Sequence, residues 1–155
     1  MDVYALIKTL HIISATILFG IGLGIAFFMF RSHFTNDIHE KLYAARNTVL
    51  ADMIFTLPAV VLQPLTGAWL IWQSGYGWLE LWLFSTYVLY IIAGICWLPV
   101  VWIQIKLKRM LIVAADTNTA LTDKYHALFK LWFILGWPAF LGLVTVFYLM
   151  VVKPL

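Results

Sequence analysis

Four long apolar runs, separated by polar stretches, set the plan of this chain: roughly residues 3–30, 49–72, 78–105 and 128–152. A helix needs about 20 apolar residues to cross the hydrocarbon of a bilayer, and each run reaches that length. Backbone polar groups in hydrocarbon must be satisfied internally, which leaves helices or a closed barrel. A barrel is written as many short segments of alternating character, and few are present here. The pattern predicts an all-α bundle of four transmembrane helices in a single domain, residues 1–155. Residues 31–47 and 106–130 are expected to be connecting loops, and 73–77 a tight turn.

Composition supports a polytopic membrane protein. The chain is 64% hydrophobic and 11% charged, with a mean hydropathy of +0.95; soluble domains carry about 25% charged residues. Arg31, Lys41, Arg46, Lys106, Lys108, Arg109, Lys124 and Lys130 flank the first and third connections, whereas Lys8 and Lys153 lie at the other side. Basic residues accumulate on the cytoplasmic side, so both termini are expected outside, N-out/C-out. The net charge of +3 sits at membrane edges and argues against nucleic-acid binding. The first run is longer than a signal-peptide core and follows no basic region, so it is expected to stay as a helix. Cys96 is the single cysteine, which excludes a disulfide or a thiolate cluster within one chain.

His11 is the leading chemical candidate. An ionisable group inside a membrane helix is a functional candidate by default. Helical spacing puts Lys8, Ser14, Ala15, Leu18 and Gly22 on its face. That small, flat face suits a porphyrin: His11 would ligate the iron of a haem b, Lys8 would meet a propionate, and Ser14 with Gly22 would make room for the ring. The alternative is a structural histidine bonded across the bundle, with Gly20 and Gly24 letting helices approach. At the depth of His11 the other helices offer Thr66 and Gly67, residues 85–87, and residues 145–148, none of them His, Met or Cys. A haem here would thus be five-coordinate, or ligated by tyrosine, water or a partner chain.

Asp52, Gln63 and Thr66 form a sparse polar track along the second helix, read either as a proton path or quinone contact or as interhelical hydrogen bonding. Pro58 and Pro64 should kink that helix. His33, Asp37, His39 and Glu40 offer a loose metal-ligand spacing or, more simply, a solvated polar loop, and His126 reads as interfacial. Trp69, Trp72, Tyr76, Trp78 and Trp82 form an aromatic belt at the outer boundary.

The segments IKTLHIISA, ADMIFTLPAVVLQPLTG, WLPVVWIQ, LGWPAF and YLMVVKP resemble those of a bacterial family of predicted integral membrane proteins, DUF2269, over nearly the whole chain. The first helix and the VVKP ending are more distantly similar to HemJ-type protoporphyrinogen oxidase, a four-helix membrane haem protein. That resemblance implies a haem-ligating role for His11 and aligns Arg31 with that family's arginine after the first helix. Trp82 stands where that family has a lysine, and Gly136-Trp137 where it has Asn-Glu. Four-helix copper-resistance domains are also similar, but no Met or His cluster supports copper transport.

The expected function is a membrane b-type haem protein with a redox role, an oxidoreductase of electron transfer in the bacterial inner membrane. The expected partners are the lipid bilayer, a quinone or tetrapyrrole, and further copies of the chain or subunits of a membrane complex. The alternative is a cofactor-free assembly subunit or small permeation unit.

Overall fold

The computed structural model describes residues 2–154. Five α-helices follow one another: α1 at Val3–Ser32, α2 at Ile38–Ala51, α3 at Leu57–Ser74, α4 at Leu81–Thr117 and α5 at Asp123–Val152. A single π-helical turn, Asp52–Thr56, joins α2 to α3 without a break. The described residues therefore form four membrane-length rods and no strand. The expected all-α, four-helix architecture is the one observed.

The rods are longer than the apolar runs. Most of the two stretches expected as loops is helical, because their apolar residues keep helical spacing. Leu42, Ala45 and Val49 put one face of α2 into the interior, and Leu107, Leu111 and Ala114 continue the buried face of α4. Arg46, Asn47 and Arg109 point outward, while Lys41 and Thr48 are buried among the apolar residues, so a polar stretch was a poor marker of a loop. Local capping fixes the ends. The Asp2 carboxylate accepts from the Tyr4 N–H at 3.0 Å, and that of Asp37 from the His39 N–H at 2.8 Å. Gly75 ends α3 at φ 72°, a left-handed conformation that glycine adopts without a Cβ penalty. Lys41 Nζ donates to the carbonyls of Ser32 and His33 at 3.2 and 2.7 Å, closing the C-terminal end of α1.

The prolines explain the irregularities of the second rod. Pro58 has no N–H, and its ring crowds the carbonyl four residues earlier. The backbone widens there into the π turn, and the Leu57 N–H reaches back five residues to Asp52. Pro64 frees the carbonyl of Val60, and the Tyr90 hydroxyl of α4 donates to it at 2.7 Å.

Packing is dense at the two ends and open between them. At the α2 end, Met29, Leu42, Ile103, Leu107, Tyr125 and Trp132 belong to one buried cluster. At the other, Ile71, Trp82 and Leu83 pack with Tyr76, Tyr87 and Leu149. There Lys153 Nζ donates to the Tyr76 hydroxyl at 3.0 Å, tying the end of α5 to the α3–α4 turn. α4 and α5 lie together along their length, and α1 lies along α2 and α3. Between α1 and α5 the backbones approach only sparsely, and stacked rings bridge the gap: Phe19 on Phe140 at 5.3 Å and Phe30 on Phe133 at 5.0 Å.

Candidate functional site

His11 is clasped by α3. Its Nδ1 lies 2.7 Å from Thr66 Oγ1. That hydroxyl has one proton and donates it to the Leu62 carbonyl at 2.6 Å, so it accepts from the imidazole. His11 therefore carries a proton on Nδ1, which in the neutral ring leaves the lone pair on Nε2. Gln63 Nε2 donates to the His11 carbonyl at 2.8 Å and to Ser14 Oγ at 2.6 Å. Gly67 lets the ring in: a Cβ there would stand 3.3 Å from His11 Cε1. Of the residues matched to His11 in depth from sequence, Thr66 and Gly67 meet it.

The other predicted site residues disperse. Ser14 is buried within the clasp under Gln63. Lys8 is exposed, its ammonium 5.9 Å from the Tyr4 ring centroid. Gly22 lies elsewhere, on the wall of a cavity among the rods. The face expected to be an open groove beneath the imidazole is packed against α3. Gly20 and Gly24 are not a close-approach pair either, since a Cβ on each would meet nothing within 4 Å. The polar track also divides. On a regular helix Asp52 and Gln63, eleven residues apart, would nearly share a face. The π turn adds a residue and rotates the remainder of the rod by roughly 100°, so Gln63 and Thr66 face α1 while Asp52 faces the cavity.

That cavity is half open to the outside, where Leu23, Phe27 and Trp137 of its lining are exposed. It measures about 450 Å³ and lies among α1, α4, α5 and the π turn with the start of α3. Its wall is mainly apolar and aromatic, and no Lys, Arg or His lines it. Besides the Tyr90 hydroxyl, already given to Val60, and the indoles of Trp97 and Trp137, four buried polar side chains reach the wall: Asp52, Thr56, Gln104 and Trp132, at 2%, 3%, 3% and 4% exposure. The side chains of Thr56, Gln104 and Trp97 approach the Asp52 carboxylate as donors, the Thr56 hydroxyl outside good hydrogen-bond geometry. Yet Asp52 Oδ2, Thr56 Oγ1, Gln104 Oε1 and Trp132 Nε1 have no hydrogen-bond partner. Thr56 is an exception among its kind: Thr9, Thr16, Thr66, Thr86 and Thr145 all return their hydroxyls to the carbonyl four residues back. Polar atoms without a protein partner are costly in hydrocarbon, and four on residues lining one cavity mark where a water or the polar group of a ligand would be accommodated.

The sequence family described as "Predicted integral membrane protein (DUF2269)" matches residues 5–154. The chain belongs to this family. No curated protein and no solved structure matches it. The family description names an architecture and no activity, and the four membrane-length rods of this family member agree with it.

Among the described residues of this DUF2269 member, no three His, Cys, Asp or Glu side chains gather as a metal site. His33 stacks on Phe129 at 4.3 Å and lies 6.0 Å from the His126 ring, away from the loose spacing with His39 and Glu40. Sequence reasoning had singled out Asp52 but missed Thr56, Gln104 and Trp132. Gln104, a lone amide at the end of an apolar run, carried a signal. Thr56 and Trp132 carried none, because each looks like ordinary membrane-helix composition.

Proposed function

We propose that the protein is an intramembrane binding protein for a small, largely apolar molecule whose polar group is held by Asp52, Thr56, Gln104 and Trp132. The observation that carries this is the set of four unpartnered, buried polar atoms on one cavity of about 450 Å³. Ligand pockets are mostly apolar with a few convergent polar groups. The ring-bridged seam between α1 and α5 supplies a route from the lipid, because side chains rather than packed backbones close it. Eight of the ten basic residues lie toward the α2 end, so the polar end of the cavity faces the cytoplasm, with both termini outside, in the inner membrane of a bacterium.

The test is calorimetric titration of the detergent-purified protein with two probes of one shape, 2-naphthylmethylamine and 2-naphthylmethanol. At least one should bind saturably. The double substitution Gly22→Leu with Gly136→Leu should abolish that binding. Both glycines line the cavity, and added side chains meet open space. No saturable binding of either probe, or binding indifferent to filling the cavity, overturns the reading.

A second reading keeps haem b at His11. Its support is the oriented imidazole: Nδ1–H is given to Thr66, and Nε2 is left as a base of the kind that ligates iron. Of the residues expected around the ring, only Ser14 lies with His11, and its hydroxyl is already taken by Gln63. The fit of this chain to a porphyrin is therefore confined to the single nitrogen. A haem would supply the redox chemistry, and electron transfer or oxidoreductase activity rests on it. Absorption spectra of oxidised and dithionite-reduced protein decide the matter: a Soret band lost in His11→Ala supports haem, and a colourless protein from haem-replete cells removes it.

A further inference from the structure

The cavity reading leaves the charge of the ligand open, and the wall chemistry narrows it. Asp52 is the one acidic side chain on the cavity and is 2% exposed. No basic side chain lines the cavity, so an ionised Asp52 has no counter-ion there. Of the four orphaned atoms, Asp52 Oδ2 and Gln104 Oε1 accept, the Trp132 N–H donates, and the Thr56 hydroxyl can do either. Rings of Phe19, Trp97, Phe133, Trp137 and Phe140 form much of the remaining wall.

Resting on the cavity-binding reading, we infer that the ligand is a lipophilic organic cation, a protonated amine on an apolar or aromatic body. Its N–H groups would donate to the three oxygens, and its charge would complement Asp52. A charge-assisted bond in a water-poor site is stronger than its neutral counterpart. The faces of the surrounding rings attract cations as well, tryptophan most of all. An anionic head, phosphate or carboxylate, meets no positive group on this wall. A bare metal ion would use the oxygens but leave the large aromatic wall without a role.

The matched probes separate this inference from the reading beneath it. 2-Naphthylmethylamine is a cation at neutral pH, and 2-naphthylmethanol has the same ring without the charge. The amine should bind the intact protein at least about tenfold more tightly. Asp52→Asn keeps the volume of the side chain and removes its charge, and should bring the two probes to within about twofold. Equal binding of both probes to the unsubstituted protein would overturn the cation inference while leaving the cavity reading in place. So would an amine preference that survives in Asp52→Asn. Because the amine-to-alcohol ratio is measured on the unsubstituted chain, the inference stays exposed even if Asp52→Asn does not fold.

Discussion

At the residue scale the His11 clasp joins α1 to α3, and each member has a definite cost of loss. Thr66→Val keeps the shape but leaves Nδ1–H without its acceptor. Interhelical hydrogen bonds in membranes are worth about 1 kcal/mol, so the substitution should lower stability by about that much. Gly67→Leu should cost more, because the ring already lies 3.3 Å from the position of a Cβ. Denaturation in dodecyl sulfate, measured for both variants, checks the order. The meeting of His11, Thr66 and Gly67 was legible from sequence because counting residues inward from the boundary gives depth. The direction each residue faces was not legible, since it depends on the register of two helices at once. His33, outside the spanning segments, gives a second test. Burial lowers its pKa below the ordinary 6.5, and Lys41 and His126 push it the same way. The unfolded chain then takes up a proton at higher pH than the native one. Stability should fall as the pH drops below about 6.5. His33→Phe keeps the stack on Phe129 and should flatten that dependence in denaturation curves at about pH 7.5 and 5.5.

At the element scale the prolines of the second rod were visible in the sequence, and their consequence was half visible. A kink was expected. At Pro58 the rod takes up a π turn, whose extra residue turns Asp52 away from Gln63 and into the cavity. No periodicity argument on a regular helix finds that rotation. Pro64 has a different effect: it frees the Val60 carbonyl for Tyr90, 2.7 Å away on α4. This predicts a coupling. Tyr90→Phe should cost about 1 kcal/mol in the native background, because a freed carbonyl loses its donor. With Pro64→Ala present, residue 64 regains an N–H for that carbonyl, and Tyr90→Phe should cost less. A double-substitution cycle in denaturant reads the difference directly. Additive losses would mean that the tyrosine acts through packing alone.

At the scale of the whole molecule, two packed ends hold an open middle. The ends were partly legible: the aromatic belt marked one, and Trp82 and Tyr76 do pack there with Ile71 and Leu83. The middle was not, because a cavity is the absence of side chains between four rods, and no single rod records it. The division makes stability unevenly distributed. Leu107 is fully buried in the cluster at the α2 end. Leu107→Ala deletes its packing where neighbours have little room to collapse, and should cost about 3 kcal/mol. Gly22→Leu adds a side chain of similar size on the cavity wall, where a Cβ meets nothing within 4 Å, and should cost nothing or stabilise. The two substitutions change volume in opposite directions, so a molecule of uniform packing density would be destabilised by both. A molecule with an open cavity among its rods predicts that adding bulk there is tolerated while removing it from the packed end is not. An open centre maintained against that gain in packing is what a binding site requires. The denaturation midpoints of the two variants therefore test whether the cavity is a property of the fold in the membrane, independently of any ligand.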